Sequence, residues 1–376
     1  MNSIAILGVV GIPASYGGFE TLAENLVRFN QTHSLERKLT VYCSANSYES
    51  RPANHLGAEL RYIGLNANGV SSIIYDIVSL LSAVWHRSDV ILLLGVSGSV
   101  CLPFVRLLSR ARIVTNIDGL EWKREKWRGA ARWFLKLSER MAVKYSHEVV
   151  ADNAGIADHI TRSYGRNAHV IAYGGDHALQ TPKKPYEGPA LPQGYALGLC
   201  RIEPENNVAM ILEAFAAIAT MPLVFVGNWN NSSYGQGLRQ HYAEHANLHL
   251  LDSIYDVGIL RTLRDNANIY VHGHSAGGTN PSLVEMMHFG LPILAYDCIF
   301  NRCTTEDKAG FFKDAESLRK ALETLDTVDA AQIGVDMRRI AQDRYTWDAV
   351  GQAYFELMLG EPLEPKRRIQ TEKSLN

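Results

Sequence analysis

Short runs of apolar residues alternate along the chain with longer segments that have helical periodicity. In the first half the apolar runs are IAILGVVGI, KLTVYC, ELRYIGL, DVILLLGV, RIVTNID, HEVVAD and AHVIAYG. After residue 194 the same rhythm restarts with YALGLC, PLVFVGN, NLHLLD, NIYVHG and PILAYD. Such alternation is typical of parallel, doubly wound sheets. The sequence therefore predicts an α/β protein with two Rossmann-like domains.

A proline-rich break divides the two rhythms. Residues 179–194 carry prolines at positions 182, 185, 189 and 192, which leave little room for a helix or a strand. We therefore expect a first domain over residues 1–178, a linker over 179–194 and a second domain over 195–345. A helical pattern over 346–360 predicts a last helix that packs back on the first domain. The polar residues 361–376 are predicted to be disordered.

Size, charge and cysteine content narrow the class of protein. A chain of 376 residues exceeds the usual size of one hydrophobic core, in agreement with two domains. The net charge of -2 gives no reason to expect nucleic-acid binding. Five cysteines without a CxxC pair favour the reducing cytoplasm. The uncharged run 90–105 is shorter than the roughly 20 apolar residues of a membrane helix, so no membrane span is predicted.

Ligands of open parallel sheets bind beyond the carboxyl ends of strands, so residues that directly follow a predicted strand are candidates for a site. The first candidate site follows the first predicted strand. There the sequence GIPASYGGFETLAENL places Gly11, Tyr16, Gly17 and Gly18 in a loop before a helix. Neither GxGxxG nor GK[ST] is present, so a dinucleotide fingerprint and a P-loop are both excluded. Our hypothesis is that this loop contacts a phosphate or a sugar, and the alternative is a tight turn between the strand and the helix.

The second candidate site follows the strand RIVTNID. Asp118 and Glu121 lie at its end, where a carboxylate could act as a general base or merely cap a helix. Residues 122–144 then hold eight Lys or Arg, interleaved with tryptophans, against two glutamates. This composition suits an anionic membrane surface or a polyprenyl-diphosphate acceptor, the alternative being a solvated helix face. The residues proposed for this surface are Trp122, Lys123, Arg124, Lys126, Trp127 and Arg128.

The third candidate site lies in the second half of the chain. Arg201 follows the strand YALGLC and could grip a diphosphate with two hydrogen bonds, or simply form a surface ion pair. Further along, a loop precedes a helix that Pro281 begins, and the free amides at such a start favour an anion. The loop residues are Gly277, Gly278, Thr279 and Asn280.

Three more polar residues belong to the same predicted site. Glu285 lies one turn into the helix that follows the loop and could accept hydrogen bonds from a ribose or a sugar diol. The alternative is an ordinary solvent-exposed glutamate. Asn301 and Arg302 follow the strand PILAYD and are further candidates for contact with a nucleotide or sugar.

Five motifs together resemble a known family. GIPASYGGFET, DGLEWKREKW, RIEPENN, GGTNPSLVE and the FNR at 300–302 are similar to nucleotide-sugar glycosyltransferases of the GT-B fold and of the family-four group. Within that group they resemble bacterial rhamnosyltransferases of surface polysaccharide synthesis. The resemblance implies that Arg201 holds the diphosphate, that Glu285 binds the ribose, and that the amides of Thr279 and Asn280 meet the sugar or diphosphate. Gly17 and Gly18 would lie across the cleft.

The chain departs from this family pattern at two positions. The family usually has a lysine five residues after the arginine, where this chain has Asn206. It also has a sugar-contacting glutamate eight residues before the ribose-binding one, where this chain has Gly277. Sugar recognition is therefore expected to differ, which fits a deoxy sugar with fewer hydroxyls.

The function that follows is sugar transfer, with rhamnose from dTDP-rhamnose as the best guess for the donor. The expected acceptor is a polyprenyl-diphosphate-linked saccharide of capsule, exopolysaccharide or O-antigen synthesis. We expect a cytoplasmic enzyme, peripheral on the inner face of the cell membrane, with no cofactor and no metal because no Asp-x-Asp motif occurs. Asp118 or Glu121 would take the acceptor proton in an inverting reaction, and the donor phosphate would take it in a retaining one.

Two alternatives to sugar transfer stay open. The first is a nucleotide-sugar epimerase or hydrolase of the same fold. The second is a non-catalytic, membrane-associated subunit of polysaccharide assembly.

Overall fold

Two β-sheets, one in each half of the chain, form the framework of the protein. The computed structural model describes residues 3–14, 17–117, 119, 122, 129–218 and 221–363. The strands of the first sheet are β1 (Ser3–Leu7), β2 (Lys38–Ser44), β3 (Asn54–His55), β4 (Ala58–Ile63), β5 (Val90–Leu94), β6 (Arg112–Ile117), β7 (Glu148–Ala151) and β8 (His169–Val170). Their order across the sheet is β3-β4-β2-β1-β5-β6-β7-β8, and all neighbours are parallel except β3 and β4.

Helices cover both faces of the first sheet, which is why its central strands read as continuous apolar runs. In β5 all five residues of VILLL are buried. One layer packs Leu80 and Val105 against Leu93, and Leu26 on the opposite side packs with Leu92. The helices of this half are α1 (Gly18–Thr32), α2 (Ser71–Trp85), α3 (Leu102–Leu108), α4 (Gly129–Tyr145), α5 (Ala154–Tyr164) and α6 (His177–Gln180).

The second sheet is entirely parallel and has the order β11-β10-β9-β12-β13-β14. Its strands are β9 (Tyr195–Leu199), β10 (Leu223–Val226), β11 (Leu248–Leu251), β12 (Ala267–His272), β13 (Ile293–Tyr296) and β14 (Gly310–Phe312). The helices are α7 (Val208–Ala216), α8 (Ser233–His241), α9 (Val257–Asp265), α10 (Pro281–Met287), α11 (Ile299–Thr304), α12 (Ala315–Thr324) and α13 (Thr327–Arg344). The prediction of two Rossmann-like domains is confirmed.

The last helix, α14 (Trp347–Leu359), packs on the first domain, as the sequence predicts. Thr346 caps its first turn by accepting the Ala349 amide at 3.2 Å. The ring of Phe355 then stacks on Phe29 of α1, with 5.6 Å between ring centroids. Because α13 belongs to the second domain, the chain crosses back between the domains just before α14.

Three further expectations concern segments rather than domains. Residues 181–194, within the predicted linker, form neither helix nor strand. The uncharged run 90–105 is divided between β5, a turn and α3. Within the described part of the chain, no helix has both the length and the apolar character needed to span a bilayer. Of the predicted disordered tail, residues 364–376 lie outside the described residues.

Candidate active site

The carboxyl ends of β9 and β12 lie side by side in the second sheet, and two predicted site segments follow them. Arg201 comes two residues after β9, and its side chain is 47% exposed, with an ion pair to Glu203 at 3.5 Å. The glycine-rich loop over residues 273–280 follows β12. The sheet therefore brings together a half-exposed guanidinium and a loop that are far apart in the sequence.

Asparagine side chains fix the turn between Arg201 and α7. Asn206 donates from Nδ2 to the Arg201 carbonyl oxygen at 2.8 Å, and Asn207 donates from Nδ2 to the Gly273 carbonyl oxygen at 2.9 Å. Asn206 is buried, so its amide shapes the turn instead of extending towards a ligand. Arg201 is therefore the only cation of the segment RIEPENN, and Asn206 does not replace the lysine of the family pattern.

The glycine-rich loop is tied to the same turn. Ser275 donates to the Glu205 carbonyl oxygen from its backbone N at 3.1 Å and from Oγ at 2.8 Å. Two residues later, Gly277 has a φ of 109°, which residues with a side chain rarely adopt. The space around it is open, since the nearest atom to a Cβ placed there would be Asn280 Oδ1 at 3.7 Å. Backbone conformation, not crowding, therefore disfavours a glutamate at this position.

The middle of the loop contacts the first domain through Asp152, which directly follows β7. The Thr279 amide donates to Asp152 Oδ2 at 3.2 Å, and Thr279 Oγ1 donates to the Asp152 carbonyl oxygen at 2.6 Å. A Cβ on Gly278 would overlap the same carboxylate. The Thr279 amide can therefore meet a donor only if this contact opens, and donor binding by Gly278 and Thr279 stays a prediction.

Asn153, the next residue, extends this contact. Its Oδ1 accepts the Gly155 amide at 2.8 Å and so caps α5, while Nδ2 lies 3.2 Å from Thr279 Oγ1 and 3.1 Å from Thr304 Oγ1. The Phe300 carbonyl oxygen is a third acceptor at 3.1 Å. One buried side chain thus joins the end of a first-domain strand to two segments of the second domain.

Glu285 is not a solvent-exposed glutamate, because two partners hold its carboxylate. Oε2 pairs with the buried Arg264 of α9, and Oε1 lies 3.3 Å from His177 Nε2 of α6. Burial acts to raise the pKa of Glu285, but Arg264 and His177 outweigh it and hold the pKa below its ordinary value. A ribose hydroxyl would have to share this carboxylate with Arg264 and His177, so the ribose-binding role stays a prediction.

Asn301 and Arg302 are directed towards protein partners. Asn301 is fully buried and donates to the carbonyl oxygens of His274 at 2.9 Å and Tyr296 at 2.8 Å. Arg302 pairs with Asp297 at 2.5 Å and Asp307 at 2.8 Å. Asn301 therefore supports the loop from behind, and its direct contact with a nucleotide or sugar stays a prediction. Arg302 forms a surface ion-pair network with these two aspartates, and its contact with a nucleotide or sugar stays a prediction.

The loop between β1 and α1 is held by two glutamates of α1. Glu20 accepts the Val10 amide at 2.8 Å, and Glu24 accepts the Ala14 amide at 2.6 Å. Gly17 has a φ of 132° and lies against the Glu20 carboxylate, whose pKa burial raises. A phosphate at Gly17 would face this carboxyl group, so a sugar hydroxyl is the better occupant there.

The other glycines of this loop have packing partners. A Cβ on Gly11 would touch the Cys43 side chain, and one on Gly18 would come within 3.3 Å of the Tyr173 ring. Gly11 therefore serves close packing against β2, and its assignment to a phosphate or acceptor contact stays a prediction. Tyr16 lies outside the described residues.

Most of the second candidate site also lies outside the described residues, namely Asp118, Glu121, Lys123, Arg124, Lys126, Trp127 and Arg128. Gly119 is described, and a Cβ on it would be 3.8 Å from Gly277 Cα of the glycine-rich loop. Trp122 is also described and packs inward. Its Nε1 donates to Glu139 at 2.9 Å, and Lys136 lies over its ring at 4.3 Å. The assignment of Trp122 to a membrane-facing surface stays a prediction, and these contacts do not favour it.

The residues that sequence reasoning missed are those that tie the site together, namely Glu20, Glu24, Asp152, Asn153, His177 and Arg264. Asp152 carried a usable signal, because it follows the strand HEVVAD just as Asp118 follows RIVTNID. Arg264 carried none, since its partner Glu285 is on another element. No group of three or more His, Cys, Asp or Glu side chains suited to a metal occurs among the described residues.

Comparisons with known proteins agree with this architecture. Residues 1–176 match the family model of a domain of unknown function, DUF1972, and residues 185–329 match the model described as glycosyl transferases group 1. No curated protein sequence matches this chain.

Several solved structures have the same fold at low sequence identity. Sucrose-phosphate synthase from Thermosynechococcus elongatus is 15% identical, with a TM-score of 0.75 over 96% of this chain and 100% of that one. Anabaena HepE in complex with UDP and glucose is 15% identical, with a TM-score of 0.70 over 96% and 100%. A glycosyltransferase from Rickettsia africae is 12% identical, with a TM-score of 0.71 over 95% and 98%.

These likenesses establish the GT-B fold, with two Rossmann-like domains that face each other across the site described above. The match to the model described as glycosyl transferases group 1 lies within the second half of the chain, where the second sheet is found.

Proposed function

We propose that this protein transfers a sugar from a nucleoside-diphosphate donor, bound by the second domain, to a lipid-linked saccharide bound by the first. The observation that carries the proposal is the position of Arg201. Its half-exposed guanidinium lies at the carboxyl end of β9, beside the glycine-rich loop after β12. Ligands of open parallel sheets bind at that edge. The family match over residues 185–329 favours a nucleotide sugar as that ligand.

The chemistry requires stabilisation of the leaving diphosphate as the bond to the sugar breaks. A preorganised guanidinium does this through two parallel, charge-assisted hydrogen bonds, and it needs no metal. The position of the family's lysine is occupied here by Asn206, which is neutral and buried in the turn. Within RIEPENN, Arg201 is therefore the one positive charge that can stabilise the leaving diphosphate. Arg201 is accordingly our candidate for the cationic contact to the leaving diphosphate.

For the donor we propose a deoxy sugar, with dTDP-rhamnose as the first candidate. The backbone at Gly277 disfavours the glutamate that reads sugar hydroxyls in the family pattern, which suits a donor with fewer hydroxyls. A thermal-shift panel of dTDP-rhamnose, UDP-glucose, UDP-N-acetylglucosamine and GDP-mannose tests this, because a ligand of the folded state raises the melting temperature. We expect the largest shift with dTDP-rhamnose. A clearly larger shift and faster transfer with a fully hydroxylated donor would remove the deoxy-sugar proposal.

For the acceptor we propose a polyprenyl-diphosphate-linked saccharide of surface polysaccharide synthesis, handled at the inner face of the cell membrane. The Glu20 carboxyl group beside Gly17 favours a sugar hydroxyl in the first-domain loop. Asp118 or Glu121 is our candidate for the base that takes the acceptor proton in an inverting reaction. Asp118→Asn should abolish turnover if Asp118 is that base, and near-normal turnover would exclude it.

Two simple observations separate this proposal from its alternatives. An epimerase or hydrolase would convert the nucleotide sugar without any acceptor, which analysis of donor-only incubations detects. A non-catalytic assembly subunit would bind none of the four nucleotide sugars. We expect donor binding together with a product that forms only when acceptor is present.

A further inference from the structure

Helix α2 exposes several large apolar residues on its outer face, and its inner face buries polar as well as apolar residues. The buried stripe includes Asp76 and Ser79, whereas Ile74, Val78, Leu81 and Trp85 are exposed. The exposed residues are spaced by four, three and four positions, so they lie along one face of the helix. Trp85 is 84% exposed. The only charged residue of α2 is the buried Asp76, so this outer face has no charge of its own.

Helix α3, beside α2 in the same layer, continues the apolar surface. Phe104, Leu107 and Leu108 are exposed on it, and Leu107 reaches 82%. Apolar residues on a protein surface are normally scattered singly, whereas seven large exposed apolar side chains on two packed helices indicate an interaction site. We call the seven exposed side chains the α2–α3 ridge, and they are Ile74, Val78, Leu81, Trp85, Phe104, Leu107 and Leu108.

The charges around the ridge are almost all positive. On α4, which packs against α3, Lys136, Arg140 and Lys144 are exposed at successive four-residue steps and therefore form a row. Among the described residues of the region 70–147, Asp89 is the one exposed acidic residue, against seven exposed basic ones. These are Arg87, Arg106, Arg110, Arg132, Lys136, Arg140 and Lys144. An apolar ridge with a basic border is complementary to a bilayer that contains anionic lipid.

The ridge is also well placed for an acceptor that stays in the bilayer. Helices α2 and α4 follow β4 and β6 at the carboxyl edge of the first sheet, where Gly17, after β1, and Gly119, after β6, also lie. The exposed Val70 precedes α2 at this edge. The ridge thus runs down the side of the first domain, and its upper end borders the cleft.

We propose that the α2–α3 ridge inserts into the interface of an anionic bilayer, with the basic row of α4 against the lipid headgroups. The inference deepens the proposed function and rests on it only for the lipid-linked acceptor. It places membrane contact on α2, α3 and α4, and not on Trp122, which packs inward.

The test is flotation of the full chain with vesicles of phosphatidylcholine alone and of phosphatidylcholine with phosphatidylglycerol. Wild-type protein should float with the anionic vesicles. Leu81→Ser with Leu107→Ser should weaken this binding by roughly tenfold or more, because two exposed leucines lose their burial in lipid. The control is Val328→Ser with Val335→Ser, which removes two exposed apolar side chains from α13 in the second domain and should leave binding unchanged.

A second variant tests the basic border. Arg140→Gln with Lys144→Gln should reduce binding to anionic vesicles by roughly tenfold, with little effect on neutral ones. Equal flotation of wild type and both variants would overturn the proposal. So would a wild-type dimer that Leu81→Ser with Leu107→Ser converts to monomer, since the ridge would then be a protein interface. Thermal shifts with nucleotide sugars, measured without vesicles, separate failure of the ridge from failure of the transferase proposal.

Discussion

Arg201 can be removed with little expected loss of stability, because its side chain is half exposed and its ion pair with Glu203 spans 3.5 Å. Arg201→Ala should lower kcat/KM for sugar transfer about 10- to 100-fold, since a hydrogen-bonded charge is worth about 1.5 to 3 kcal/mol. Arg201→Lys should recover part of the loss, because lysine keeps the charge without the bidentate geometry. Steady-state kinetics with varied donor concentration measures both.

The control for Arg201 is Arg319→Ala on α12. Arg319 forms ion pairs with Glu316 and Glu323 on its own helix, away from the carboxyl edge of the sheet. This variant should keep wild-type kinetics. Equal activity of the Arg201→Ala variant and wild type would exclude the diphosphate role.

Because of Asp76, the stability of the first domain is expected to fall as pH rises. Burial raises the pKa of its carboxyl group to about 8, and the Gly98 amide hydrogen bond offsets this only in part. As pH rises above the ordinary value, the unfolded chain ionises while the folded chain keeps the proton, so stability falls. Asp76→Asn removes this loss. Relative to wild type, its free energy of unfolding should rise by about 1.4 kcal/mol for each pH unit between pH 5 and 7.

Urea unfolding at both pH values measures this difference. Ser79→Ala is the control, because Ser79 is a buried polar residue on the same face of α2 that does not titrate. Its difference from wild type should be independent of pH. If the difference for Asp76→Asn is also independent of pH, the proposed ionisation behaviour is wrong.

At the level of elements, α5 is both capped and tied to the second domain by Asn153. Asn153→Ala should lower the free energy of unfolding by about 2 to 4 kcal/mol, the sum of a lost cap and of buried acceptors left without a donor. Ser232→Ala is the control, because Ser232 caps α8 by accepting the Gly235 amide within the second domain. It should lower the free energy of unfolding by about 1 kcal/mol. Chemical denaturation compares the two. Equal losses would show that the contacts of Asn153 to the second domain contribute no stability.

The sequence predicts the elements well wherever apolar runs are long. All twelve apolar runs identified as strands contain a strand of the structure. It does not predict β14 or β3, because runs of three and two residues have no readable periodicity.

For the whole molecule, α14 is the segment through which the end of the chain packs on the first domain. A Cβ on Gly351 would overlap the ring of Phe29 on α1. Gly351→Leu should therefore reduce the free energy of unfolding by about 1 to 3 kcal/mol through overpacking, despite the better helix propensity of leucine. Gln352→Leu, at the exposed neighbouring position, should not reduce it. Thermal unfolding measures both, and equal melting temperatures would contradict tight packing at Gly351.

The arrangement of the domains also sets the limit of what could be predicted for the site. Arg201 and the glycine-rich loop could be predicted, because both directly follow predicted strands and the carboxyl ends of parallel strands lie at the same edge of a sheet. The contacts of Asp152 with Thr279 and of Arg264 with Glu285 join separate elements, and no local pattern encodes such pairs. Gly277 is intermediate, since its departure from the family pattern was visible but its backbone cause was not.

The central claim is sugar transfer to a lipid-linked acceptor with Arg201 on the donor diphosphate. The most direct measurement incubates labelled nucleotide sugars with the protein and membrane-extracted polyprenyl-diphosphate saccharides, and follows label in the lipid phase. We predict label from one donor with wild type, at least about tenfold less with Arg201→Ala, and none without acceptor. Donor conversion without acceptor, or equal lipid label with Arg201→Ala, would contradict the account.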